Sequence, residues 1–219
     1  FVLKGALLFR VWDVSDSRAT RDIDFLAFLD NSPDNLSAVF REVCTIESDD
    51  GLAFDPGSVD AKRIKEDAAY EGVRVRFQGS LGKAKSAMQI DVGFGDKVHP
   101  GAVRADYPVI LDLPAPALRM YPPETVVAEK VEAIVHLGSL NSRMKDFYDI
   151  WLLSRQFPFN LSDLSEAIQL TFKQRGTVLK QPLIAFEAEF ISSRRDIWAS
   201  FHKRLNQAHV PAAFADIVS

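Results

Sequence analysis

Apolar positions alternate with polar ones through the first half of the chain and recur at helical spacing through the second, with the change near Pro122-Pro123. The run Arg21-Asp22-Ile23-Asp24-Phe25-Leu26 alternates and predicts a half-buried strand. Because strand side chains alternate faces, Ile23 and Phe25 should enter the core while Asp22 and Asp24 share the other face. Ser32-Pro33 then opens a helix in which Leu36, Val39, Phe40 and Val43 recur at helical spacing. Asp49-Asp50-Gly51 marks a turn. Val73, Val75 and Phe77 alternate with Arg74 and Arg76 as a second strand. After a loop from Gly79 to Lys85, Met88, Ile90 and Val92 alternate around Gln89 and Asp91 as a third, antiparallel to the second. Val109-Ile110-Leu111 and Ala117-Leu118 suggest two further strands or edge segments.

Beyond the proline pair the pattern predicts a helix over 124–137, with prolines where a first turn tolerates them and Gly138 as its stop. A second helix is expected over 142–154, carrying Phe147, Ile150, Trp151 and Leu153. Ser162 is the expected N-cap of a third, running through Phe172. A fourth should span 183–205, with Phe186, Phe190, Ile197, Trp198, Phe201 and Leu205 on its buried side. The tail from Val210 has no assignment. These elements describe an α/β chain: a small mixed, twisted sheet with helices over 1–120, followed by a helical domain over 121–219.

Composition adds limits. The 219 residues are nearly half apolar and about a quarter charged, the balance of a globular protein with a real core. No stretch of about 18 uncharged apolar residues occurs, so no membrane span is expected. The single cysteine, Cys44, rules out an internal disulfide and a cysteine-based zinc site. Its apolar neighbours make it a small core residue, and a cytoplasmic location follows as an expectation. A net charge of −4 argues against broad wrapping of nucleic acid while leaving room for a local basic surface. The start at Phe1-Val2-Leu3 reads as a strand or helix end and suggests that a segment precedes it; its layout is not that of a signal peptide.

Candidate chemistry rests on Asp22, Asp24 and Asp91. A strand beside the core has no packing reason to carry paired aspartates, since like charges about 7 Å apart on one face repel and aspartate disfavours strands. A divalent cation removes the conflict, and Mg²⁺ characteristically takes one or two carboxylates together with substrate phosphates. Lys4-Gly5-Ala6 adds a turn where phosphates can approach backbone amides. On the helix after the proline pair, Lys130 projects from a stripe containing Val126, Val127, Ala133 and Ile134. It either snorkels past the core or meets an anion. A Lys130–Asp146 ion pair that only staples two helices is the competing interpretation. The four histidines lack metal-ligand spacing, and the tryptophans have core neighbours. Arg194, Arg195, Lys203 and Arg204 read as a solvated helix face, or as a contact for RNA backbone.

The runs Phe-Val-Leu-Lys-Gly-Ala-Leu-Leu-Phe (1–9) and Arg-Ala-Thr-Arg-Asp-Ile-Asp-Phe-Leu (18–26) resemble the first motif of the AbiEii/AbiGii-type nucleotidyltransferase toxins. Glu129-Lys130-Val131-Glu132-Ala133 followed by Arg143-Met144-Lys145-Asp146-Phe147-Tyr148-Asp149-Ile150 resembles a later one. The resemblance covers roughly residues 1–155, and the motifs in this order are far more specific than any one of them.

The resemblance implies a nucleotidyltransferase fold with its site in a cleft between the two domains. It gives Asp22, Asp24 and Asp91 to two Mg²⁺ ions. Lys4, Gly5, Ala6 and Arg21 go to the nucleotide, Lys130 to its phosphates, and Asp146 to a second essential acidic position. Arg18, Arg21 and Arg143 would neutralise phosphate charge. Where relatives carry Gly-Ser or Gly-Gly-Thr this chain has Ala6, so a hydroxyl contact to phosphate is lost. A nucleoside triphosphate is the implied substrate, the 3′ end of a tRNA the acceptor, and an antitoxin protein the partner. Two alternatives stand beside this: a catalytically degenerate binding module, which Ala6 favours, and a nucleotidyltransferase acting on an antibiotic-like small molecule.

Overall fold

Alternation in the first hundred residues does become strands, and the chain after Pro122 becomes helices. The computed structural model describes residues 1–14, 18–20, 22–67, 70–179 and 181–219. They run β1 (Val2–Lys4), a 3₁₀ turn Gly5–Leu7, α1 (Leu8–Val11), β2 (Ile23–Ala27), α2 (Pro33–Cys44), β3 (Leu52–Asp67), β4 (Tyr70–Leu81) and β5 (Ala84–Phe94). β6 (Val103–Asp106), β7 (Ala117–Met120), α3 (Pro123–Leu137), α4 (Met144–Gln156), α5 (Leu161–Arg175), α6 (Ala188–Ser193), α7 (Arg195–Leu205) and α8 (Phe214–Val218) follow. The chain divides into two units that are interleaved in sequence. The first holds Phe1–Leu8 and Thr20–Asp96, the second Phe9–Ala19 and Lys97–Ser219.

In the first unit the strand order is β3-β4-β5-β2-β1. Only β2 and β5 pair in parallel; the other pairs are antiparallel. This is the expected mixed α/β class. One face packs on α2. Ser32 caps that helix by accepting from the Asn35 amide at 3.3 Å, Pro33 occupies the first turn, and Asp34 and Arg41 complement the two ends of the dipole. Leu36, Phe40 and Cys44, four residues apart, form its buried stripe. They meet Val73, Val75, Phe77, Ile90 and Val92, with Ile23 and Phe25 packed alongside, as the alternation requires. Cys44 is the core residue expected, whereas Val43 faces outward.

The longest strand, β3, has no counterpart in the pattern-based assignment. Pro56-Gly57 interrupts its period, and its register against β4 shifts between Asp55 and Asp60. The connection expected over 79–85 is shorter, because pairing continues to Leu81↔Ala84 around Gly82-Lys83.

In the second unit β6 and β7 form an antiparallel pair. The strand suggested at 109–111 is absent: Ile110 and Leu111 are exposed among bends, and Pro108, Pro114 and Pro116 deny the stretch ladder donors. α3 and its Gly138 terminator (φ 50°) are as expected. α5 starts earlier than expected, because Asn160, not Ser162, accepts from the first-turn amides of Ser162 and Asp163. The long fourth helix is broken at Arg194, whose guanidinium donates to the backbone carbonyls of Asn141 (2.6 Å from Nε) and Ser139. Ahead of the break Phe186 is largely exposed, while beyond it Trp198 is sealed against Phe201 and Phe214, with ring centroids 5.5 and 5.7 Å away. The unassigned tail folds as α8, whose Phe214 also meets Phe147 edge-on at 5.1 Å. No helix among the described residues is long and apolar enough to cross a membrane.

Candidate active site

The sheet of the first unit carries one continuous row of charged residues. Lys4 is the register partner of Asp24, Asp24 of Asp91, Asp91 of Arg74, and Arg74 of Lys62, across β1, β2, β5, β4 and β3. Residues directly opposite one another on paired strands share a face. Asp24 and Asp91 therefore stand side by side on neighbouring parallel strands, about 4.8 Å apart in the pairing direction. Hydrophobic alternation places them: Ile23 and Phe25 on β2, and Ile90 and Val92 on β5, enter the α2-facing core and force the aspartates to the opposite face.

Each aspartate has a distinct environment. Asp24 is half-buried against Gly5, which has φ +77°. A Cβ at Gly5 would lie 2.2 Å from the Asp24 Oδ2, so the turn must be bare for the carboxylate to stand where it does. Asp91 is buried, and both its oxygens are taken by the Arg74 fork: Nε donates to Oδ1 and Nη2 to Oδ2, each at 2.7 Å. Lys4 is buried and donates from Nζ to Asp96 Oδ2 at 2.8 Å, with Gly93 leaving room for the ammonium. Ala6 is buried within the 3₁₀ turn. Asp22 lies just ahead of β2 and is exposed, its amide donating to the Thr20 hydroxyl at 3.2 Å. Arg21 lies outside the described residues.

Among the described residues no three His, Cys, Asp or Glu side chains gather in a metal-ligating group. The donor set is the pair Asp24 and Asp91, with Asp22 beyond the strand end. Such a pair fits Mg²⁺, which takes one or two carboxylates and fills its remaining positions with water and substrate phosphate.

A second charged cluster lies in the second unit, on α3 and α4. Lys130 Nζ donates to Asp149 Oδ2 at 2.6 Å and to Asp146 Oδ1 at 3.1 Å. Arg18 grips Asp149 through Nε and Nη2, both at 3.1 Å, and Arg143 Nε lies 2.7 Å from Asp146 Oδ2. Asp149 has no exposed side-chain surface and Asp146 almost none. Burial by itself would push the Lys130 ammonium down, but the Asp149 and Asp146 carboxylates outweigh it and hold its pKa above the ordinary lysine value. Burial would likewise raise Asp146, and Lys130 and Arg143 overcome it, holding Asp146 below the usual carboxylate range. Lys130, Arg18 and Arg143 thus meet these two carboxylates at close range, and Lys145 adds to the positive field at Asp146.

The expected Lys130–Asp146 pair is therefore present, but it is not the whole cluster. Asp149 was missed although it stands one helical turn beyond Asp146, a spacing that places both on one face. Arg74 was also missed as a partner of Asp91; hairpin register would have found it, because the two residues face each other across β4 and β5.

Comparisons with known proteins bear on this geometry. A family model described as nucleotidyl transferase AbiEii toxin, type IV TA system, matches residues 1–219. No curated protein matches the chain. Among solved structures the chain is similar to a candidate nucleotidyltransferase from H. pylori, at 16% identity and a TM-score of 0.54, covering 99% of this chain and 82% of that one. The protein JHP933 from Helicobacter pylori matches at 15% identity and a TM-score of 0.46, over 93% of this chain and 85% of that one. At these identities the first likeness speaks for the fold alone, and the second falls too low to carry an argument.

Proposed function

Because the chain belongs to the AbiEii nucleotidyltransferase toxin family of type IV toxin–antitoxin systems, we propose that it transfers a nucleoside monophosphate from a nucleoside triphosphate to an acceptor hydroxyl. The observation that carries this is the placement of Asp24 and Asp91 side by side on β2 and β5, with Asp24 against the bare turn at Gly5. In the transfer, the acceptor oxygen bonds to the α-phosphorus, the bond to the bridging oxygen breaks, and pyrophosphate leaves. The hydroxyl proton passes to a carboxylate.

Asp24 and Asp91, with Asp22 at the strand end, would hold the Mg²⁺ ions. Bound there, the metal supplies Lewis acidity and lowers the pKa of the attacking hydroxyl. The Gly5 turn lets the substrate's phosphates approach backbone without a side chain in the way. Lys130, kept charged by Asp146 and Asp149, contributes electrostatic stabilisation of the triphosphate. Arg18 holds Asp149 and Arg143 holds Asp146, which fixes the carboxylates that position Lys130. The type IV toxin–antitoxin description of the family supports an antitoxin protein as partner, and the proposed acceptor is the 3′ end of a tRNA.

The test is incubation with Mg²⁺, each of the four α-labelled nucleoside triphosphates and total tRNA, beside Asp24→Ala. Label should appear on RNA with one nucleotide and be absent with the variant. Label on protein or on a small molecule would replace the acceptor. No labelled product with any acceptor, together with no Mg²⁺-dependent nucleotide binding, would leave a degenerate binding module.

A further inference from the structure

The Arg74 fork engages both oxygens of Asp91, the buried member of the carboxylate pair. We infer that Arg74 is a built-in counter-cation that competes with the divalent metal for the charge of Asp91, so that the site binds metal more weakly while the guanidinium holds that carboxylate. This rests on the metal assignment proposed above and adds how the site's occupancy is controlled.

Two aspartates on adjacent strands repel, and a sheet that places them together needs a positive charge to hold them. The charge can come from a metal or from a side chain. β4 supplies the side chain: its Arg74 is the register partner of Asp91 and reaches it with the planar fork that matches a carboxylate. With both oxygens accepting at 2.7 Å, one lone pair of each is engaged, and a cation that takes the other must sit beside the guanidinium's positive charge and share the same carboxylate. The contrast with Lys62, the next cation in the row, is instructive. Lys62 sits on β3, is largely exposed and pairs with Asp60 at 2.9 Å instead. It adds the same charge to the same face without engaging a carboxylate of the pair. Arg74 is thus a positioning residue. It holds Asp91 in place while the metal is away, at the cost of weaker metal binding.

Mn²⁺ binding to the intact chain, followed by electron paramagnetic resonance without nucleotide, tests this directly. Relative to wild type, Arg74→Gln should tighten Mn²⁺ binding about three- to tenfold, the range expected for releasing one charge-assisted hydrogen-bond pair at a partly exposed site. Lys62→Gln should change it less than about twofold, as expected for a screened exposed charge. In an Asp91→Asn background, Arg74→Gln should have no further effect. If Arg74→Gln does not hold its fold by circular dichroism, Arg74→Lys serves in its place, because it keeps the charge but cannot fork both oxygens. A smaller tightening is then expected. Mn²⁺ binding that depends on Asp24 but is unchanged or weakened by the Arg74 variants would overturn the inference and leave the metal assignment standing. Equal tightening by Lys62→Gln would also overturn it, by reducing the effect to general charge. Absence of any Asp24-dependent Mn²⁺ binding in all variants would remove the metal assignment itself, and this inference with it.

Discussion

A carboxylate sealed from water is tolerated only when its charge is matched at close range, and Asp149 is matched twice. Arg18 takes both of its oxygens and Lys130 shares one of them. Asp146, at the rim of the same cluster, is held by Lys130 and Arg143. Removing one partner of a buried ion pair typically costs about 3–5 kcal/mol. Asp149→Asn should fall in that range, because it strands Arg18 and leaves Lys130 only its longer bond to Asp146. Asp146→Asn leaves Lys130 with its shorter bond to Asp149 and should cost about 1–3 kcal/mol. Urea unfolding of the two variants checks the order; equal losses would contradict it. The sign of the pH dependence follows from the shifts. Asp146 titrates lower when folded, so its contribution is complete above the unfolded value of about 3.9 and is lost as pH falls through the lowered one. Lys130 titrates higher when folded, so its contribution is complete below about 10.4 and is lost as pH rises through the raised value. The melting-temperature difference between wild type and Asp146→Asn should therefore be flat from about pH 5 to 9 and shrink below about pH 4.

At the scale of elements, what the sequence made legible was what period two and period 3.6 encode. β2, β4 and β5 could be read because Ile23, Phe25, Val73, Val75, Ile90 and Val92 alternate without interruption and pack on α2. β3 could not, since Pro56-Gly57 breaks its period and the core-facing alternation of its second half, Val59 and Ala61, is cut short by the exposed Arg63. The break between α6 and α7 was invisible for a different reason. It depends on carbonyls of Ser139 and Asn141, more than fifty residues away, accepting from Arg194. The site divides along the same line. Asp24, Asp91 and Lys130 announce themselves as charges among apolar neighbours, whereas Arg74 and Arg18 acquire meaning only from the strand register or tertiary contact that pairs them. The turn after β1 offers a test at this scale. Gly5→Ala combines a left-handed backbone, which costs about 1–3 kcal/mol for a residue with a side chain, with a collision against the Asp24 carboxylate. Stability should fall by at least that amount, and the labelling reaction should fall with it. A variant as stable as wild type would show that the turn tolerates a side chain.

Across the whole molecule, the chain leaves the first unit after Leu8, contributes Phe9–Ala19 to the second, and returns at Thr20. That excursion brings Trp12 edge-on to Phe157 at 5.4 Å and Arg18 onto Asp149. A fragment spanning 97–219 therefore keeps Lys130 on Asp149 but lacks Arg18, which engages both oxygens of that buried carboxylate. It should be about 1–3 kcal/mol less stable than the same fragment carrying 9–19 on a linker, the cost of losing charge-assisted hydrogen bonds to a carboxylate that Lys130 still pairs. Thermal denaturation of the two fragments decides this, and equal midpoints would rule it out.

The same excursion constrains how such a gene can recombine. A single crossover near codon 97 between two diverged copies would join the Trp12 and Arg18 of one parent to the Phe157 and Asp149 of the other. An inherited exchange of the helical half therefore needs two breakpoints more, on either side of codons 9–19, so these eleven residues should travel through descent with the distant C-terminal half rather than with their sequence neighbours.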